Sequence, residues 1–137
     1  MAAPLLCCVS ASAHARPAVE LATALAKALE RPLVFLLVNQ TRPASGYPDI
    51  RAMSETEARD ILDIAVRYAE AHGAHDARPA LVEARDVADA ILRFAEEREV
   101  GHIVVGTGNP PFIGRLLLGS VSQTVVAEAK CSVTVAR

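Results

Sequence analysis

The residue types able to do chemistry gather in one stretch, Val100 to Ser122, which reads V-G-H-I-V-V-G-T-G-N-P-P-F-I-G-R-L-L-L-G-S-V-S. A short apolar run, Ile103 to Val105, ends in Gly106. Gly108 and Asn109 follow in a Gly/Asn/Pro loop, and Gly119-Ser120-Val121 opens a helical pattern. A strand, a turn and a helix start in that order present amides that lack intrahelical partners, at the helix end where the dipole favours an anion. The chemistry on offer is phosphate binding. The plainer alternative is a sharp turn holding a rigid Pro110-Pro111 segment with no ligand. Ser120 is either a helix N-cap alone or an N-cap that also meets a phosphate or ribose. No Gly-Lys-Ser/Thr follows the loop, and Pro111 stands where the third glycine of a dinucleotide fingerprint would pack, so neither of those phosphate loops is present.

Other candidate sites are weaker. His72 and His75 are three apart, but Gly73 lies between them and no Cys, Asp or Glu partner is in register, so they read as solvated side chains at a helix C-terminus. Ser12 and His14 have no nucleophile-base spacing, and there is no G-x-S-x-G elbow. Arg93 to Glu99 reads as a solvated helix face. Ser10 and Ser12 either finish a strand and cap the next helix or line a ligand site with Ala11 between them.

These groups need a scaffold, and the chain has the length for one domain over residues 1–137. Apolar residues make up 52%, ample for one core at this size. The net charge is −2 with both signs interspersed, which argues against nucleic acid as a partner. Three cysteines cannot close a disulfide framework, and the adjacent Cys7 and Cys8 read as reduced core residues on opposite faces of a strand. No apolar run approaches the roughly 18 residues of a membrane span, and the first nine residues carry no basic start of a signal peptide. The expected compartment is the cytoplasm.

Pro4 to Val9 and Leu33 to Val38 are continuously apolar, as strands buried on both faces are. Pro17 to Leu29 has helical spacing, and Asn39 to Met53, with Pro43, Gly46 and Pro48, reads as a long polar loop. Ser54-Glu55-Thr56-Glu57 is a capping box that starts a helix at Glu55, ending near Gly73. Arg78 to Ala84 reads as a strand that Pro79 confines to an edge. Asp86 caps a further helix, the Ile103 strand follows, then a helix from about Ser120 to Ala129 and a last strand, Ser132 to Ala136. Alternating strands and helices imply a mostly parallel sheet covered on both faces. Ligands of such sheets bind beyond the carboxyl ends of the strands, where strand order reverses.

Gly106, two residues, Asn109, nine residues and Gly119-Ser120, preceded by Arg115 to Leu118, resemble the G-x2-G-x9-G-[S/T] signature of universal stress proteins. The opening strand, the strand end at Val38 and the closing Cys131 to Val135 resemble that family too. The resemblance implies an α/β fold of the adenine-nucleotide alpha-hydrolase type, with a five-stranded open sheet in the order 3-2-1-4-5. Its reversal point then lies between the first and fourth strands, where Ser10, Ala11 and Ser12 would face Gly106 to Asn109. It further implies ATP or a related adenine nucleotide as a regulatory ligand in a stress response, with at most slow hydrolysis. Phosphates would meet Gly106, Gly108, Asn109, Gly119 and Ser120, flanked by Val105 and Val121, and the adenine would meet Val38. Two stretches depart from the family pattern. Asn109 stands for the second glycine, and Ser10, Ala11 and Ser12 replace an acidic stretch, so a hydroxyl stands where a carboxylate would help hold Mg2+. The competing reading is a dimeric interaction module of the same fold that binds no nucleotide and regulates a transporter or enzyme. In either case the resemblance implies a homodimer through Ser132 to Ala136.

Overall fold

The computed structural model describes residues 2–12, 15–108 and 118–137; Asn109 and the Pro110-Pro111 pair lie outside the described residues. In chain order the elements are β1 (Leu5–Cys8), α1 (Ala15–Leu29), β2 (Leu33–Ala44), β3 (Tyr47–Arg51), α2 (Glu55–Ala71), β4 (Ala77–Ala84), α3 (Val87–Glu97), β5 (His102–Gly106), α4 (Ser120–Glu128) and β6 (Ser132–Ala136).

β1 pairs in parallel with β2 on one side and β5 on the other, and β4 and β6 extend the sheet outward in parallel from β2 and β5. The parallel order is therefore β4-β2-β1-β5-β6, the order expected for five strands. Alternation along a central strand sends successive side chains to opposite faces. Leu5 and Cys7 accordingly pack with α1 and α2, around Ala22 and Leu62, while Leu6 and Cys8 pack with α3 and α4, around Ile91 and Val125. Phe35, fully buried in the first of these layers, is its largest side chain, and truncating such a residue to Ala costs about 3–5 kcal/mol. All three cysteines are free.

The helix starts follow local chemistry. Ser54 Oγ accepts the Glu57 amide at 3.1 Å, and Asp86 Oδ1 accepts the Asp89 amide at 2.9 Å, each satisfying an amide at a helix N-terminus. α2 stops where Gly73 takes φ +95°, as its composition predicts. His72, at the C-cap, has Nδ1 2.8 Å from the Tyr68 carbonyl and stacks on the Tyr68 ring. β4 is an edge strand, paired only with β2 among the described strands, in keeping with Pro79.

One expectation is corrected. Asn39 to Met53 is a β-hairpin and not a polar loop: β2 continues to Ala44, turns at Gly46 (φ +74°) and returns antiparallel as β3, with Thr41 opposite Arg51 and Arg42 opposite Ile50. Among the described residues the sheet thus has six strands. Its prolines escape the ladder because Pro43 sits at a register shift and Pro48 in a two-stranded ribbon. A buried amide holds the base of the ribbon. Asn39 Nδ2 donates to the Met53 carbonyl at 2.8 Å, and its Oδ1 accepts the Met53 amide at 3.2 Å.

Candidate functional site

Parallel strands β1, β2 and β5 end together, and their order reverses around β1, because the chain moves outward from β1 to β2 and β4 and then crosses to β5 and β6. A crevice must open there, since the connections leave β1 and β5 toward opposite faces. It does: a cavity of about 310 Å³ lies on the α3–α4 side, within the size range of small-ligand sites.

Its walls have two characters. Leu36 and Val38 of β2, with Val87 and Ile91 of α3, make an apolar end. Ser10 and Ser12 after β1, Gly106 and Gly108 after β5, and Val121 and Ser122 of α4 make a polar end rich in backbone groups. Gln40 and Ala52, at the base of the hairpin, close the rim on the β2 side, where the Gln40 carbonyl accepts the Ala52 amide at 2.8 Å.

The polar end is built by close backbone approach. The Gly119 amide donates to the Thr107 carbonyl at 2.7 Å, so the ends of the segment between β5 and α4 are held together. Ser122 Oγ donates to the Gly106 carbonyl at 2.8 Å, tying α4 to the strand end. Gly108 sits at φ +78°, and a Cβ there would lie 3.1 Å from Gly119 Cα and 3.3 Å from Ser122 Oγ. Glycine is required twice over at this position, by conformation and by space.

Gly119, not Ser120, is the N-cap of α4. It has extended dihedrals and no side-chain capping bond, while Ser120 is the first helical residue and is exposed. The reason is geometric: the Gly119 carbonyl already receives the Gln123 amide, the first bond of the helix. Among the described residues no side chain caps the first turn, where the amides and the positive end of the helix dipole favour an anion.

Ser10 Oγ accepts the Ser12 amide at 3.2 Å, and the Ser12 carbonyl accepts the Ala15 amide at 3.1 Å as α1 begins. Both serines border the cavity while taking part in these local bonds. Cys8 also lines it, and desolvation pushes its thiol up to about 12, so it is protonated at neutral pH and is no nucleophile. No ionisable carboxylate, ammonium or guanidinium lines the cavity among the described residues. Nor, among the described residues, is any group of three or more His, Cys, Asp or Glu placed to hold a metal ion.

Of the residues singled out from sequence, Ser10, Ser12, Val38, Val105, Gly106, Gly108 and Val121 are brought to this one cavity. Ala11, Gly119 and Ser120 adjoin lining residues without lining it themselves, and Asn109 lies outside the described residues. Sequence reasoning missed Ser122, Gln40 and Ala52. Ser122 had a signal, since it stands three residues after Gly119 and a helix starting there turns it back toward the strand end. Gln40 and Ala52 had none while the hairpin went unread.

No helix among the described residues is long and apolar enough to cross a membrane. No curated protein matches the chain significantly. Among solved structures, the chain is similar to the universal stress protein UspA from Lactobacillus plantarum (19% identity, covering 98% of this chain and 97% of that one, TM-score 0.81). It is similar to a universal stress protein family member from Burkholderia pseudomallei (27% identity, 97% and 94% covered, TM-score 0.76). It is similar also to the universal stress protein from Archaeoglobus fulgidus in complex with dAMP (24% identity, 99% and 98% covered, TM-score 0.76). The model of the universal stress protein family matches residues 1–137. With its strand order, its cavity at the reversal point and this match over the whole sequence, the chain belongs to the universal stress protein family.

Proposed function

We propose that the cavity binds an adenine nucleotide as a regulatory ligand in a stress response, without fast turnover. The observation that carries this reading is the pairing of an apolar slot at Val38 with the first turn of α4, which has no side-chain cap among the described residues, beside Gly106 and Gly108. A purine suits the first and a phosphate the second. Structural neighbours solved with cAMP, dAMP and AMP support the ligand class. Magnesium does not fit the donor set, since no carboxylate lines the cavity among the described residues and serine hydroxyls are poor substitutes. A nucleoside monophosphate therefore suits the site as well as ATP does, and hydrolysis lacks an evident base or metal ligand among the described residues.

Titration calorimetry with AMP and ATP, each with and without magnesium, tests this reading. Metal-independent binding and a raised melting temperature are expected, because a ligand that prefers the folded state stabilises it by mass action. No heat and no thermal shift at millimolar nucleotide would refute it. One observation favours the second reading, a dimeric interaction module without nucleotide acting on a transporter or enzyme: Ser10 Oγ is already engaged by the Ser12 amide and offers no charge. That reading takes over if the titrations are blank.

A further inference from the structure

Beyond Gln40 and Ala52, the hairpin continues past the rim of the cavity. Cross-strand partners share a face, so Arg42 and Ile50, paired directly, lie on the same face as Gln40 and Ala52, one strand step of about 7 Å further out. The other face of the ribbon points away from the cavity, with Arg51 lining a polar cleft beside Asn39 and Arg59. Ile50 is 52% exposed, an apolar side chain with little to cover it.

The charges at this end of the molecule are unevenly used. Arg51 holds Glu83 at 2.8 Å, Arg59 holds Glu55 at 3.3 Å, and Arg85 holds Asp49 through two bonds of 3.0 and 3.1 Å. Arg42 is exposed and has no ion-pair or hydrogen-bond partner among the described residues. It is a cation one strand step beyond the Gln40–Ala52 rim, on the same face of the ribbon, beside a cavity that no charged side chain lines among the described residues.

We propose that Arg42, backed by Ile50, covers the outer face of the base bound at Val38, its guanidinium plane stacked on the purine. This rests on the nucleotide reading above and adds to it a base-binding residue outside the cavity walls. A guanidinium is planar, weakly hydrated and always charged, so it stacks on an aromatic face while leaving no buried charge to neutralise. The alternative partner, the phosphate, belongs at the opposite end, where Gly108 and α4 supply amides.

The test compares AMP with adenosine, which keeps the base and lacks the phosphate, by calorimetry on wild type, Arg42→Ala, Ile50→Ser and Arg59→Ala. Arg42→Ala is expected to weaken both ligands about fivefold and equally. Ile50→Ser should weaken both in the same direction, and Arg59→Ala, on the far face, should change neither. A loss confined to AMP would place the guanidinium on the phosphate and overturn the proposal, as would unchanged affinity for both ligands in Arg42→Ala. Wild type that binds neither ligand ends the nucleotide reading and this proposal together, whereas wild-type binding with an unaffected Arg42→Ala ends this one alone. The chain contains no tryptophan, so Ile50→Trp gives a single reporter. Its emission should change on adding adenosine, and constant emission while calorimetry records binding would overturn the proposal independently.

Discussion

Gly108 concentrates the demands of the site in one residue. At φ +78° a side chain is strained whatever the space, and a Cβ at 3.1 Å from the Gly119 backbone would separate the two strands of chain that the 2.7 Å Gly119–Thr107 bond holds together. Gly108→Val adds a β-branched group to both problems and should cost about 1–3 kcal/mol in urea unfolding. It should also abolish nucleotide binding in titrations on the folded fraction. A Gly108→Val protein as stable as wild type would mean that the turn is not left-handed in solution. Gly106 was legible in the sequence because an apolar strand runs straight into it. The constraint on Gly108 was not legible, because it comes from the approach of Gly119, eleven positions along the chain. The cap at Gly119 was misread for a related reason: serine is the better capping side chain in general, but here the backbone enters the helix one residue earlier.

Among the elements, the hairpin decides the shape of the cavity rim, and Asn39 decides the hairpin. Its amide is 1% exposed and pairs with both backbone groups of Met53, so the ribbon is hinged on a buried polar contact. Asn39→Leu keeps the size and removes both bonds, leaving the Met53 amide and carbonyl unsatisfied. The expected loss is about 1–3 kcal/mol per buried group left without a partner. Fast hydrogen exchange should be confined to residues 40–53, with β1 and β5 still protected. Uniform loss of protection would show that the hairpin is not a separate unit. The parallel strands were legible because each is a continuous apolar run bounded by turn residues. The hairpin was not, because Pro43, Gly46 and Pro48 interrupt the alternation and all of β3 is exposed, so no buried face marks its period. What fixes it is Asn39–Met53 pairing across fourteen positions, together with ion pairs to the end of β4, which no local pattern announces.

On the scale of the whole molecule, the two outer edges of the parallel sheet are unequal. β4 is blunted by Pro79, which has no amide to offer, and by the exposed charges of Arg78 and Glu83. β6 carries none of these devices. Its five residues, Ser132 to Ala136, contain no proline and no lysine, and among the described strands it pairs only with β5. Val133 and Val135 pack toward the α3–α4 layer, and His102 Nε2 lies 2.7 Å from Thr134 Oγ1 on the other face, while no described strand pairs with the outer edge. An open edge of this kind is an assembly hazard unless a partner completes it. A second copy does so with the fewest demands, because two β6 strands running antiparallel about a two-fold axis satisfy each other's groups and leave a closed assembly. Light scattering at micromolar concentration should therefore give twice the chain mass. Proline at Val133 should yield monomer or aggregate, with far-ultraviolet dichroism showing that the remaining elements survive. A wild-type protein that stays monomeric over that range would refute the pairing and leave β6 open to a different strand, the condition an interaction module would exploit.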